Sequence, residues 1–82
     1  MEKTVKVMLK DGLDAGAIAL LVQAACKYES RIYLGCEERR VNAKSIMGMM
    51  NMVVTSGTDV IVIAEGSDEA EAVAEIERLL TE

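Results

Sequence analysis

The sequence lacks histidine, proline, tryptophan and phenylalanine, and its 82 residues include only two tyrosines. Without histidine it contains no Ser-His-Asp triad, no Cys-His pair, no histidine metal ligand and no histidine proton shuttle. Basic residues are also few: the chain contains nine lysines and arginines but fourteen aspartates and glutamates, so its net charge is −5. Because the basic residues are scattered as well, the sequence excludes a nucleic-acid-binding surface, which requires clustered positive charge.

Long apolar runs and an export signal are missing as well. The longest apolar run, residues 15–22, is far shorter than the ~20 residues that span a bilayer, and the charged N-terminus is unlike a signal peptide. We therefore expect a cytoplasmic protein without a membrane partner. In that reducing compartment, Cys26 and Cys36 are expected to be small hydrophobic residues with free thiols. No metal or cofactor is expected.

What remains is an aliphatic chain, 51% hydrophobic and long enough for one core, so we expect a single domain over residues 1–82. Four segments are predicted to be strands, because their apolar residues alternate with period two or because they are rich in β-branched residues. They are residues 4–9, 31–34, 39–41 and 59–64. Helical spacing is found at residues 15–27, at 46 to about 53, and in a last helix that Ser67 is expected to cap. The predicted order of elements is β-α-β-β-α-β-α.

This order predicts an α+β fold, a two-layer open-faced sandwich in which three helices cover one face of a four-stranded, mostly antiparallel sheet. The open face would carry Lys6 and Arg31. On the first helix, Leu20 lies outside the buried stripe and is either exposed or in contact with a neighbouring helix. In the last helix we expect a buried stripe of Val73, Ile76, Leu79 and Leu80.

The segment Val41-Asn42-Ala43-Lys44-Ser45-Ile46-Met47-Gly48-Met49-Met50 resembles the second-helix motif of the HPr family. These are small phosphocarrier proteins of the bacterial sugar phosphotransferase system. Gly12-Leu13 before the first helix and Gly57-Thr58 before the last strand also match, so the resemblance covers essentially the whole chain. It implies the HPr-like fold and a carrier or regulatory protein rather than an enzyme.

The phosphoryl acceptor of the family is a histidine in a Gly-Leu-His-Ala-Arg-Pro pattern. In this sequence Asp14 replaces that histidine, Gly16 replaces the arginine and Ala17 replaces the proline. The chain is therefore not competent for histidine phosphotransfer. We interpret Asp14 as a helix N-cap, an interaction worth about 1 kcal/mol. The alternatives are an acyl-phosphate site on Asp14 and a carboxylate that mimics phosphohistidine.

The resemblance implies a second site at Ser45. In Gram-positive members a dedicated kinase phosphorylates the serine of this motif, and the phosphoprotein is corepressor for a catabolite-control transcription factor. The residues themselves place Ser45 at a helix N-cap, where a phosphate would face the free N–H groups of Met47 and Gly48. The simpler interpretation is that Ser45 only caps the helix.

Four apolar residues are candidates for a partner-binding surface, namely Leu20, Ile46, Met47 and Met50. Methionine side chains are flexible, so a surface rich in them can adapt to different partners. Two further methionines, Met49 and Met52, are expected to be buried and not part of this surface. The partners implied by the resemblance are HPr kinase/phosphorylase, an enzyme I-like protein and the transcription factor. We therefore predict a regulatory adaptor; the alternatives are a phosphocarrier that uses Asp14 and a purely structural interaction domain.

Overall fold

A computed structural model describes residues 1–52 and 54–82 as one four-stranded sheet with three helices. The strands are β1 (Glu2–Lys6), β2 (Arg31–Cys36), β3 (Arg39–Asn42) and β4 (Asp59–Glu65), and the helices are α1 (Ala15–Ala25), α2 (Ile46–Met50) and α3 (Glu69–Thr81). The strand order is β1-β4-β2-β3, and all neighbouring strands are antiparallel. The predicted order of elements and the α+β open-faced sandwich are confirmed.

The two faces of the sheet differ in burial, as the period-two alternation predicts. Leu34 of β2 lies opposite Val62 of β4, and both side chains are fully buried beneath the helices. Lys6 and Arg31 are exposed at the ends of their strands, which confirms that they point away from the core. The helices α2 and α3 pack against the sheet, and α1 packs against both of them.

The core between the helices and the sheet is aliphatic. Its largest fully buried apolar side chains are Leu21, Ile32, Leu34, Met49, Ile76 and Leu80. Met49 and Met52 are buried, as predicted. Within the predicted stripe of α3, Leu79 is only partly buried, because it lies at the rim of an open groove next to Leu9 and Leu20.

The end of α1 differs from the prediction, because the helix stops at Ala25 and not at Lys27. The N–H of Lys27 donates to the carbonyl oxygen of Ala24, and the N–H of Tyr28 donates to that of Ala25. Both bonds join residues three apart, so the last turn is tighter than an α-helix and the regular helix ends before it.

The first strand, β1, covers Glu2–Lys6, so the prediction of residues 4–9 was wrong at both ends. The strand starts early because the Met1 ammonium donates to the carbonyl oxygen of Ala64, at 2.7 Å. It ends early because the N–H of Val7 makes the last in-register bond, to the carbonyl oxygen of Thr58 (2.9 Å), and the N–H of Met8 then donates to the carbonyl oxygen of Leu80 in α3 (2.9 Å).

The middle of the chain agrees more closely with the prediction. Strands β2 and β3 form the expected hairpin, whose turn contains Glu37 in the left-handed region at φ 57°. Helix α2 ends at Met50 with Asn51 as its C-cap, earlier than predicted. The predicted end of this helix at Val53 lies outside the described residues.

The start of α3 is not capped by Ser67, contrary to the prediction, because Asp68 directly precedes the helix. The Asp68 carboxylate makes no cap bond and instead accepts hydrogen bonds from the N–H of Glu29 (2.8 Å), the N–H of Ser30 (2.9 Å) and the hydroxyl of Ser30. These bonds, led by that of the buried Ser30 hydroxyl, lower the pKa of Asp68 below its ordinary value. They join the loop after α1 to the start of α3.

Cys26 is exposed and Cys36 is partly buried, and both are free thiols. Over residues 1–52 and 54–82, no helix has the length and apolar character needed to cross a membrane. The same residues contain no group of three or more side chains suited to holding a metal ion.

Candidate functional site

Asp14 caps the N-terminus of α1, as predicted. It has an extended backbone, and its Oδ1 accepts the N–H of Ala17 at 2.8 Å. In the part of the chain that the structure describes, no lysine or arginine bonds to this carboxylate. A phosphoryl group on Asp14 would compete with the cap bond, and Gly16 supplies no positive charge to balance it.

The residues just before α2 are held by hydrogen bonds of Lys44. Its backbone N–H donates to Asn42 Oδ1 at 2.8 Å, and its Nζ donates to the carbonyl oxygen of Tyr28 at 2.7 Å. The second bond connects this segment to the loop after α1. Sequence reasoning did not identify the role of Lys44, because its acceptor lies sixteen residues away in the chain.

Ser45 is the N-cap of α2, as predicted, and its Oγ accepts the N–H of Gly48 at 3.2 Å. The side chain is half-buried. A Cβ on Gly48 would stand 3.4 Å from this Oγ, so the glycine keeps the space beside the hydroxyl open. The hydroxyl therefore faces a backbone donor of the kind that phosphate oxygens accept from.

The four candidate partner-binding residues are all exposed, and we refer to them together as the apolar surface. Their exposed fractions are 58% for Leu20, 52% for Ile46, 80% for Met47 and 59% for Met50. For Leu20, which had two interpretations, the structure therefore shows the exposed one. Four large apolar side chains this exposed in a small domain are typical of a protein that binds other proteins.

The apolar surface has two parts that lie on different sides of α1. Met50 lines an open groove together with Ala15 and Ile18 of α1. Leu20 instead lines a second, smaller groove together with Leu79 of α3. The exposed ridge of α1 between them consists of small residues, including Gly16 and Ala19, so a partner can approach α1 closely and contact both parts.

The chain is similar to known HPr-family proteins over most of its length. The family model described as "PTS HPr component phosphorylation site" matches residues 1–82. The chain is 45% identical over 76 residues to the HPr-like protein Crh of Bacillus subtilis (strain 168), which is 93% of this chain and 89% of that protein. It is 47% identical over 77 residues to the phosphocarrier protein HPr of Treponema pallidum (strain Nichols), 94% of this chain and 88% of that one.

The fold leads to the same group of proteins. The crystal structure of HPr-C-His from Thermoanaerobacter tengcongensis superimposes with a TM-score of 0.92 at 42% sequence identity, over 98% of this chain and 90% of that chain. Overall identity does not separate Crh from HPr, since both relatives match equally well. The active-site histidine separates the two relatives, because Crh lacks it. This sequence contains no histidine and therefore resembles Crh in this respect.

Proposed function

The chain belongs to the HPr family, and we propose that it is a regulatory adaptor of that family, controlled by phosphorylation of Ser45 and recognised by protein partners. Its family consists of phosphocarrier and regulatory proteins and not of enzymes. The observation that carries the proposal is the position of Ser45, a half-buried N-cap directly next to the exposed Ile46 and Met47. A charge placed on Ser45 would therefore alter the edge of the apolar surface.

The surroundings of Ser45 support modification at this residue. The Gly48 N–H already points at its Oγ, so a phosphoryl oxygen has a backbone donor available without rearrangement of α2. The bond from Lys44 Nζ to the Tyr28 carbonyl oxygen holds the preceding residues in place. A phosphate here would add about 1.5 to 2 negative charges at neutral pH, which is enough to change which partners bind.

Transfer of phosphate through Asp14 is not supported. Its Oδ1 serves as the cap of α1, and neither Gly16 nor Ala17 offers the charge that the family arginine would supply. The chain would thus work through recognition in the cytoplasm, with HPr kinase/phosphorylase as the modifying partner. An enzyme I-like protein and a catabolite-control transcription factor are further proposed partners. In the family the arginine contacts partners, and Gly16 replaces it here. Of the three proposed partners, the transcription factor is therefore the one with the least support.

Incubation with HPr kinase and ATP is expected to add one phosphoryl group to the protein, detected by intact-mass spectrometry. The reason is that Ser45 is only half-buried and lies in the motif that the family kinase recognises. The variant Ser45→Ala should remain unmodified. The matched control Ser67→Ala, which removes an exposed serine outside the motif, should be modified to the same extent as the unchanged protein.

An HPr protein known to be phosphorylated serves as the positive control for the kinase. If that protein gains mass and this one does not, the proposed regulation at Ser45 is wrong. A phosphoryl group that persists in Ser45→Ala would equally contradict the assignment, because it would lie on another residue.

Replacing Met47 and Met50 with glutamate is expected to weaken binding to purified HPr kinase/phosphorylase by roughly tenfold or more, because buried contact residues at interface centres dominate affinity. The measurement is a titration by calorimetry. The control is Met8→Glu, since Met8 is as exposed (58%) as Met50 (59%) but lies outside the apolar surface. Equal affinities for the two variants would mean that the apolar surface is not where this partner docks.

A further inference from the structure

An open groove of about 330 Å³ lies between the start of α1 and the end of α2. Its lining is mostly apolar and consists of Asp11, Leu13, Ala15, Ile18, Met50, Met52, Val54 and Thr55. Leu13, Ile18 and Val54 are buried, whereas Met50 is exposed at the rim. The groove therefore has an apolar floor and room for an aliphatic side chain of another protein.

The charge at this groove is negative. Asp11 is its one charged lining residue, and Asp14 lies next to Ala15, which also lines it. None of the ion pairs among the described residues involves either carboxylate, although the exposed Lys10 precedes Asp11 in the chain. Gly16 stands where the resemblance implies an arginine, so α1 itself contributes no cation at this end.

We propose that this groove binds an aliphatic side chain of a protein partner, and that a lysine or arginine beside that side chain pairs with Asp11 and Asp14. The proposal rests on the proposed function and specifies the chemistry of the partner. Charge complementarity is the reason, since two carboxylates beside an apolar groove favour a basic partner surface and repel an acidic one. The net charge of −5 acts in the same direction over the whole protein.

The test uses two synthetic amphipathic helical peptides of one sequence, with leucine at every third or fourth position and flanking residues that are either lysine or glutamate. Amide chemical-shift changes measured by NMR locate the binding site, and titration yields the dissociation constants. We expect the lysine peptide to shift Ala15, Met50 and Thr55. The glutamate peptide should bind about tenfold more weakly, because attraction at two exposed carboxylates becomes repulsion.

The double variant Asp11→Asn with Asp14→Asn should lose most of this preference and keep only the small part that the remaining net charge supports, while asparagine at position 14 still caps α1. The control Asp59→Asn removes an exposed carboxylate of β4 and should keep the tenfold preference. Equal binding of the two peptides to the unchanged protein, shifts confined to the open sheet face, or no binding of the lysine peptide overturns the proposal. Because the protein is unphosphorylated and no kinase is used, this outcome is independent of the Ser45 test.

Discussion

Replacing Gly12 with alanine is expected to destabilise the protein by about 3 kcal/mol. Gly12 has φ +66°, in the left-handed region that residues with a Cβ disfavour. The larger cost is steric, because a Cβ at this position would stand 2.3 Å from the carbonyl oxygen of Val54 and 2.9 Å from the Cα of Thr55. Both are backbone atoms, so no side-chain rotation relieves the overlap.

Relief of that overlap would require the loop before α1 to move away from the segment after α2. The N–H of Leu13 donates to the same Val54 carbonyl oxygen at 3.0 Å, and this bond would be strained or lost. Such a movement would also widen the groove between α1 and α2, which contains Leu13 and Val54. We therefore expect both the stability and the peptide-binding groove to be affected.

The matched control is Gly57→Ala. Gly57 also has a positive φ, +89°, but nothing lies within 4 Å of its Cβ position. This variant should lose only the backbone preference, about 1 kcal/mol. Free energies of unfolding from urea titrations give the comparison. Equal losses in the two variants would show that the contact with Val54 carries no additional cost.

Replacing Asp68 with alanine is expected to cause the second large loss of stability. The change removes the acceptor for the N–H of Glu29 and for both donors of Ser30. Ser30 is 1% exposed, and a buried donor left without an acceptor costs about 1 to 3 kcal/mol. Urea titration at neutral pH measures the loss. The control Glu71→Ala removes an exposed carboxylate from the first turn of α3 and should change stability little.

The same carboxylate makes the stability depend on pH. The pKa of Asp68 is lowered in the folded protein from an ordinary value of 3.8, so the unfolded chain binds this proton first as the pH falls. Its contribution is therefore present above about pH 4 and is lost as the pH falls through the folded pKa. Unfolding midpoints measured between about pH 6 and pH 3 should drop less in Asp68→Ala than in the unchanged protein.

A residual pH dependence is expected in that variant. The pKa of Glu69 is lowered by its hydrogen bond with the N-terminal ammonium, and that of Glu75 by its hydrogen bond with Arg78. Both carboxylates act in the same direction as Asp68. If the unchanged protein and Asp68→Ala lose stability in parallel on acidification, the bonds to Ser30 do not depend on the charge of Asp68.

Features that depend on neighbours in the sequence were predictable from the sequence alone. The order of strands and helices follows from spacings of two, three and four residues, because side chains at these spacings share a face of a strand or helix. Asp14 and Ser45 were recognised as N-caps because the donor that each one accepts lies only three residues ahead. The absence of histidine phosphotransfer required only that the chain contain no histidine.

Features that join distant segments were decided by the tertiary structure. Asp68 bonds to Ser30 across 38 residues, and this is why Ser67 was wrongly expected to cap α3. The contact of Gly12 with Val54, and the groove that places Asp11 beside Met50, likewise depend on how α1 and α2 pack together. The spacing of residues along one helix or strand specifies which of them share a face, but it does not specify which part of the chain that face will meet.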